Sequence, residues 1–142
     1  QLHAQQQPCG LAMLDLDNFK RVNDTYGHAG GDQVLTHFTR LVGGTLRRGD
    51  GFGRLGGEEF MLLLPNIEAA ALEQTVGRVL DLVRQAHPLP EAPAFSYTCS
   101  AGLLMLDSSQ DVVQNMRNAD RALYVAKAQG RDQWVWGSSA AS

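Results

Sequence analysis

Two adjacent glutamates stand in a segment that predicts a tight β-hairpin. They are the third and fourth residues of Gly56-Gly57-Glu58-Glu59-Phe60, between strand-like segments at 50–55 and 60–64. A Gly-Gly pair between two strands favours a two-residue turn, because such turns need positive φ angles that glycine adopts readily. We therefore expect a Gly56-Gly57 turn with two carboxylates beside it, where a ligand can approach the backbone closely.

A second pair of carboxylates ends the first apolar run, Leu11–Asp17. Asp15 and Asp17 alternate along this run, so a strand places both on one face. An exposed Glu-Glu pair alone is most often solvated surface. If the hairpin lies beside this strand, however, Asp15, Glu58 and Glu59 converge. Hard oxygen ligands of this kind suit Mg²⁺ shared with a substrate phosphate, so the sequence predicts a phosphorylated substrate.

The whole chain has the size and composition of one globular domain. It has 142 residues, of which 44% are hydrophobic and 19% charged, and no apolar run reaches the roughly 20 residues of a membrane span. The formal net charge of −3 argues against a nucleic-acid polymer as main partner, because such domains usually display a basic face. Cys9 and Cys99 match no metal-binding spacing and are expected to be buried thiols, which fits a reducing cytoplasm.

The two ends differ in composition from the rest. Residues 1–10 open with a glutamine-rich stretch, which we interpret as the end of a preceding helix or a linker. Residues 137–142 have the small, polar composition of a frayed tail. The predicted domain is therefore 11–136.

Periodicity predicts three long helices and two further strands. The helices are expected at about 31–47, from Leu72 to a stop at Pro88, and from a capping box at Ser108 and Asp111 to about Gly130. The strands are expected at 95–106 and 133–136. The order strand, helix, hairpin, helix, strand, helix, strand predicts an α+β fold with a ferredoxin-like βαβ core, in which helices flank a central mixed sheet.

Several motifs, in order along the chain, resemble the GGDEF domain of diguanylate cyclases in its GGEEF variant. They are Asp15-Leu16-Asp17-Asn18-Phe19-Lys20, Val22-Asn23-Asp24, Gly27-His28 with Gly31-Asp32, Arg54-Leu55-Gly56-Gly57-Glu58-Glu59-Phe60, and Ala119-Asp120-Arg121-Ala122-Leu123-Tyr124 with Lys127 and Gly130-Arg131. The resemblance covers nearly the whole chain. It implies a fold like that of polymerase palms and nucleotide cyclases.

The resemblance implies condensation of two GTP molecules into cyclic di-GMP, with release of two pyrophosphates. Each domain of a homodimer holds one GTP, and two Mg²⁺ or Mn²⁺ ions per site assist attack by a 3′-hydroxyl on an α-phosphorus. By resemblance Asp15, the Leu16 carbonyl and Glu58 bind metal. Glu59 binds a second ion or helps to deprotonate the hydroxyl.

The resemblance also implies contacts to GTP. It places Asn23 and Asp32 against the guanine edge, where a carboxylate accepts from the adjacent N1–H and N2–H₂ donors; for Asn23-Asp24 alone, a helix cap or turn is the simpler interpretation. It places the triphosphate against Phe19 and Lys20, at the start of a helix.

The remaining triphosphate contacts come from the hairpin and the last helix. Gly57 lies at the turn, and Lys127 and Arg131 lie four residues apart, a spacing that lets both cations reach one triphosphate or, equally, cap the helix C-terminus. Asp17 and His28 match the motifs and are interpreted as structural or supporting residues.

A product-inhibition motif precedes the hairpin. Arg47-Arg48-Gly49-Asp50 has the RxxD pattern, and five residues separate it from Gly56, the usual distance in the family. Arg47 can donate to a phosphate or a guanine edge, Asp50 can accept from a guanine N–H, and Arg78 on the next helix stands where a neighbouring arginine completes such a site. Taken alone, RxxD at a helix end is usually a surface ion pair.

Two other functions compete with this interpretation. One is a non-catalytic GGDEF module that binds GTP or cyclic di-GMP and regulates a partner; such modules commonly lose an active-site acid or glycine, whereas Asp15, Gly56, Gly57, Glu58 and Glu59 are all present here. The other is a cyclase acting within one GTP molecule. The GGEEF hairpin and RxxD favour the diguanylate product.

Overall fold

The computed structural model describes residues 7–138 and contains a five-stranded sheet. The strands are β1 (Cys9–Leu16), β2 (Gly51–Gly56), β3 (Glu59–Pro65), β4 (Cys99–Met105) and β5 (Trp134–Trp136). Their order across the sheet is β2-β3-β1-β4-β5. The first four pair antiparallel, and β5 pairs parallel to β4. The sequence expectations for residues 1–6 and 139–142 lie outside the described residues.

Three helices connect the strands: α1 (Phe19–Gly43), α2 (Ala69–Arg84) and α3 (Val112–Ala128). The units β1-α1-β2 and β3-α2-β4 interleave, since β3 lies between β1 and β2 while β1 lies between β3 and β4. This is the ferredoxin-like arrangement. The predicted α+β fold is confirmed, with α3 and β5 added at the β4 edge.

The central strand β1 is covered on both faces. Ala12, Leu14 and Leu16 pack in the larger core, which includes buried residues of α1 and α2. Leu11 and Met13 pack against Ala119 and Leu123 of α3. A strand buried on both faces reads as a continuous apolar run, as this one does. Because side chains alternate along a strand, Asp15 shares the α3 face with Leu11 and Met13.

The structure corrects several predicted boundaries. The first long helix begins at Phe19, is interrupted at Gly27 (φ 76°, ψ 174°) and ends at Gly43, so residues 44–47 are not helical. The fourth strand is shorter than 95–106, because cross-strand pairing begins only at Cys99. Asp111 caps α3 by accepting from the Gln114 N–H at 2.7 Å, and Ser108 is not the capping residue.

Both ends of the described segment are tied to the sheet. The Ile67 N–H donates to the Pro8 carbonyl at 3.1 Å, and the Gly137 N–H donates to the Leu103 carbonyl at 2.7 Å, one residue beyond β5. Among the helices of residues 7–138, none combines the length and apolar character needed to cross a bilayer.

Candidate active site

Strand register brings the predicted acidic residues to one end of the sheet. Asp15 lies in β1, where its cross-strand neighbours are Glu59 of β3 on one side and Ser100 of β4 on the other. The Leu16 N–H donates to the Glu58 carbonyl at 3.2 Å. The hairpin therefore lies beside β1, and Asp15, Glu58 and Glu59 are neighbours.

The turn of the hairpin is shifted by one residue from the prediction. Gly57 and Glu58 form the turn between β2 and β3, whereas Gly56 is still paired with Glu59 after an irregularity in register at Arg54. Gly57 has φ 53°, a value that favours glycine. The Arg54 Nε donates to the Gly57 carbonyl at 2.7 Å and fixes the turn. Glu58 therefore lies at the tip itself.

Lys127 of α3 connects the oxygens around Asp15. Its Nζ donates to Asp15 Oδ1 at 3.0 Å, to Asp17 Oδ1 at 2.8 Å and to the Leu16 carbonyl at 3.4 Å. Burial disfavours the ammonium, but its hydrogen bonds to the two carboxylates raise the pKa of Lys127. Burial raises the pKa of Asp15, and Lys127 opposes that rise. The sequence assigned Lys127 to the triphosphate; here it also holds the carboxylates.

Asp17 is a buried carboxylate with a complete set of donors. Its residue is 4% exposed, and it accepts from Thr98 Oγ1 and Ser100 Oγ, each at 2.7 Å, and from the Asp132 N–H at 3.0 Å, besides Lys127. Burial alone would raise the pKa of Asp17, but the hydrogen bonds from Lys127, Thr98 and Ser100 and the Lys127 charge outweigh it and lower the pKa. This arrangement agrees with a supporting role for Asp17.

Glu59 is a carboxylic acid whose pKa is strongly raised. Burial, a hydrogen bond with Asp120, and the charges of Asp120, Asp15 and Glu58 raise the pKa of Glu59 to about 7. The sequence analysis quoted Asp120 within a motif but gave it no role. Asp120 and Lys127 lie two helical turns apart, and this spacing on α3 was the signal that could have identified Asp120.

A cleft of about 290 Å³ opens beside Glu58 and brings together the predicted guanine residues and part of the predicted phosphate set, whereas Lys127 and Arg131 do not line it. Its lining is Phe19, Lys20, Asn23, His28, Asp32, Leu35, Arg54, Gly57 and Glu58. His28, interpreted from sequence as structural, lines this cleft, and Leu35 and Arg54 were not anticipated there. The cleft brings Asn23 and Asp32 to the same opening as Glu58.

Gly31 makes room for Asn23 across the interruption in α1. A Cβ atom at Gly31 would lie 1.9 Å from Asn23 Oδ1 and 3.2 Å from Phe19 Cζ. No side chain larger than hydrogen fits at this position without displacing Asn23. The two parts of α1, on either side of Gly27, therefore form one wall of the cleft.

Two predicted phosphate contacts lie at helix ends. Lys20 is exposed in the first turn of α1 and lies 3.3 Å from Asp24. Asn18, the residue before α1, has φ 57° and makes no side-chain capping hydrogen bond. The Arg21 N–H donates to the Asn18 carbonyl, so the N–H groups of Phe19 and Lys20 are the ones suited to an anion. Arg131 follows α3, is exposed, and has φ 64°.

The RxxD residues bind each other. Arg47 Nη2 lies 3.0 Å from Asp50 Oδ1, and the Arg47 guanidinium also donates to the carbonyls of Pro65 and Asn66. The Asp50 side chain is only 3% exposed. Arg78 is exposed on α2. Arg47 and Asp50 thus form an ion pair with each other in the loop between α1 and β2.

The donor set fits a hard divalent cation that is shared with a ligand. Within residues 7–138, no cluster of three or more His, Cys, Asp and Glu side chains is arranged to hold a metal ion unaided. Asp15, the Leu16 carbonyl, Glu58 and Glu59 supply only oxygen, as Mg²⁺ prefers, and Mg²⁺ usually completes its coordination with water and substrate phosphates. The site therefore suits a metal–nucleotide complex.

Known proteins are similar to this chain in sequence and in fold. The chain is 37% identical over 93% of its length to the cyclic di-GMP phosphodiesterase PdeR of Escherichia coli, of which it covers 20%. It is 40% identical, with a TM-score of 0.89, to the diguanylate cyclase SiaD of Pseudomonas aeruginosa, crystallised with its activator SiaC; the match covers 96% of this chain and 53% of that one.

A third protein was crystallised with cyclic di-GMP. The coiled coil and GGDEF domain of DgcB from Caulobacter crescentus has 28% identity and a TM-score of 0.87, over 92% of this chain and 70% of that one. The chain spans only about a fifth to a third of the first curated relatives that it matches. The family model described as "Diguanylate cyclase, GGDEF domain" matches residues 1–133. The chain belongs to the GGDEF domain family.

Proposed function

We propose that this domain is a diguanylate cyclase, which joins two GTP molecules into cyclic di-GMP and releases two pyrophosphates. The observation that carries the proposal is the placement of Asp15, Glu58 and Glu59 beside the cleft that contains Asn23 and Asp32. The residues proposed for guanine recognition and those proposed for acidic chemistry thus lie at one opening. The proposed domain is 11–136, working in the cytoplasm, where GTP is available.

The acidic residues would prepare the 3′-hydroxyl and the α-phosphate for reaction. Asp15, the Leu16 carbonyl and Glu58 would hold a divalent cation, and Glu59 would hold a second one or take the hydroxyl proton. Bound Mg²⁺ or Mn²⁺ supplies charge neutralisation at the phosphate and lowers the pKa of the attacking hydroxyl. A pKa near 7 leaves Glu59 able both to accept and to hold a proton at neutral pH.

Asp32 and Asn23 would select guanine. Asp32 accepts from the two adjacent N–H donors of the base, and Asn23 adds a second polar contact. Adenine lacks that donor pair and would leave the Asp32 carboxylate desolvated and unpaired, which disfavours ATP by several kcal/mol. GTP is therefore the proposed substrate.

Replacing Gly31 with alanine is expected to weaken guanine binding about tenfold, the cost of one hydrogen bond to the base. The added methyl collides with Asn23 Oδ1 and moves it out of the cleft. Calorimetric titration with GMP, which contains the base but cannot react, measures the loss. Gly43→Ala is the matched control. Gly43 lies in the same helix, and apart from its chain neighbours and the nearby helix backbone, no atom of the described residues lies within 4 Å of the Cβ that the substitution adds. GMP affinity equal to wild type in Gly31→Ala would contradict the assignment of Asn23.

The triphosphate would lie between the start of α1 and the end of α3. The backbone N–H groups at Phe19 and Lys20 would receive the β- and γ-phosphates, with the Lys20, Lys127 and Arg131 cations around them and the Gly57 backbone alongside. Lys127 bonds to Asp15 and Asp17 in the structure. Nucleotide binding would therefore draw this ammonium partly away from the carboxylates.

The reaction requires a homodimer in the proposed mechanism. One domain binds one GTP, and each 3′-hydroxyl attacks the other nucleotide, so two sites must face each other. The resemblance supports this arrangement.

Cyclic di-GMP would also inhibit the enzyme by binding Arg47 and Asp50, with Arg78 nearby. The support is the motif and its distance from the hairpin. Because Arg47 and Asp50 bind each other in the structure, the inhibitor must open this pair to use their hydrogen-bonding groups.

Arg47→Ala is expected to raise the cyclic di-GMP concentration that halves the rate by about tenfold or more, because a charge-assisted hydrogen bond is lost. The initial rate without added product should change little. Rates at increasing cyclic di-GMP measure this, and Arg48→Ala, an exposed neighbour outside the motif, serves as control. Equal inhibition of both variants would remove Arg47 from the proposed site.

Product analysis tests the cyclase directly. The protein, at increasing concentration, is incubated with GTP and Mg²⁺ or Mn²⁺, and the products are separated by chromatography. Cyclic di-GMP supports the proposal, whereas a cyclic mononucleotide indicates a cyclase acting within one GTP. GTP binding without product, even after fusion to an artificial dimerisation domain, indicates the non-catalytic regulatory module.

A further inference from the structure

The turn after α3 has an unusual backbone. Gly130, Arg131 and Asp132 have φ angles of 121°, 64° and 54°. Two consecutive non-glycine residues in the left-handed region are unfavourable unless the surroundings hold them there. The turn also carries Arg131, one of the three cations assigned to the triphosphate, and comes shortly after another of them, Lys127, in the chain.

Three hydrogen bonds connect the backbone of this turn to α3, β4 and the residue after β1. The Arg131 N–H donates to the Ala126 carbonyl at 2.9 Å. The Asp132 N–H donates to Asp17 Oδ2 and to Ser100 Oγ, both at 3.0 Å. The backbone of Asp132 therefore donates directly to the buried Asp17 carboxylate, and Asp17 in turn accepts from Lys127 at 2.8 Å.

Arg84 holds the same turn from the other side of the sheet. It is the last residue of α2, which packs on the face opposite α3. Its Nε donates to Asp132 Oδ1 at 2.8 Å, and its Nη2 lies 3.4 Å from the Asp132 carbonyl. Arg84 also pairs with Asp81 one turn earlier.

The ion pair between Arg84 and Asp132 is partly exposed to solvent and is therefore expected to have little effect on the global stability of the domain. The side chains of Arg84 and Asp132 are 39% and 35% exposed, and pairs of this kind usually contribute about 0–1 kcal/mol. The pair instead fixes the position of Asp132, whose backbone N–H donates to the Asp17 carboxylate.

We propose that Arg84 and Asp132 are positioning residues for the triphosphate: they fix the turn that presents Arg131 and, through Asp17, orient the Lys127 ammonium. The inference rests on the proposed function, in which Lys127 and Arg131 bind the phosphates. Neither Arg84 nor Asp132 needs to touch the nucleotide. Their loss should affect the phosphate end of the ligand and spare the guanine end.

The test compares two ligands that cannot condense: 3′-deoxy-GTP, which lacks the attacking hydroxyl, and GMP, which lacks the β- and γ-phosphates. In Mg²⁺ buffer, Arg84→Met and Asp132→Asn should each reduce the affinity for 3′-deoxy-GTP about tenfold. Each should reduce the affinity for GMP less than twofold. The double variant should bind no more weakly than Arg84→Met alone, because Asp132→Asn acts only on the contact with Arg84, which Arg84→Met already removes. Arg84→Lys should recover part of the affinity.

Asp81→Asn is the matched control, since it removes the other partner of Arg84 and leaves the Asp132 contact. It should bind both ligands like wild type. Hydrogen exchange of the 130–132 amides in ligand-free protein gives a readout independent of the nucleotide, and it should be faster in Arg84→Met than in Asp81→Asn.

The outcomes separate this inference from the proposed function. A wild-type protein that binds 3′-deoxy-GTP no more tightly than GMP would refute the triphosphate assignment and the positioning role with it. A wild-type preference for 3′-deoxy-GTP that survives in Arg84→Met, or an equal loss for both ligands, would refute the positioning role alone.

Discussion

Glu58→Gln is expected to reduce cyclic di-GMP formation by at least about a thousandfold, because the variant loses the charge of a proposed metal ligand at the reacting phosphate. The substitution preserves the size of the side chain. The hydrogen bond that Glu58 makes to Leu16 uses its backbone carbonyl, which the variant retains. The fold and the hairpin should therefore persist while the chemistry is lost.

Initial rates by chromatography, together with a thermal melt, measure the effect of Glu58→Gln. Glu68→Gln is the matched control, since Glu68 precedes α2 and its side chain makes no capping hydrogen bond there. It should retain the wild-type rate. A Glu58→Gln protein that forms cyclic di-GMP within tenfold of the wild-type rate would exclude Glu58 as an essential ligand.

Gly102→Ala is expected to destabilise the domain by about 3 kcal/mol or more, through overpacking against atoms that cannot move away. A Cβ atom at Gly102 would lie 2.2 Å from the Ala119 carbonyl oxygen and 2.4 Å from the Leu123 nitrogen. Both are backbone atoms of α3. The methyl would have to lift the helix from β4.

Urea unfolding of Gly102→Ala beside wild type gives the change in the free energy of unfolding. Gly53→Ala in β2 is the control, because the same added atom meets nothing within 4 Å there. Because α3 carries Asp120 and Lys127, GMP binding should weaken less than binding of a triphosphate in any protein that remains folded. A loss of stability below about 1 kcal/mol would show that α3 shifts easily on β4.

Local sequence patterns were sufficient for much of the fold. The continuous apolar run of β1, the glycine-containing hairpin and the end of α2 before the prolines each have a local physical cause, and all three appear in the structure, although the turn is Gly57-Glu58 and α2 ends at Arg84. The predicted long helix began at about Gly31, whereas α1 begins at Phe19 and includes Gly30 and Gly31. Only Gly27 interrupts the helix, while Gly31 accommodates Asn23.

The site was predictable where one motif supplied neighbouring residues. The Asp15 strand follows from alternation, and a hairpin near Glu58 follows from turn chemistry, although the turn itself lies one residue later than predicted. The donors around Asp17 did not follow, since Thr98, Ser100 and Asp132 come from distant parts of the chain and meet only through the sheet. No periodicity within a window of sequence contains that information.

The central position of β1 affects how the site is assembled during synthesis. β1 is the earliest of the five strands along the chain, yet its neighbours are β3 and β4, and Lys127 comes later still. Contacts between residues so far apart in sequence are slow to form, because a long loop must close first. A nascent domain therefore exposes the apolar β1 until its second half leaves the ribosome, and the acidic centre exists only when nearly all of the domain has been made.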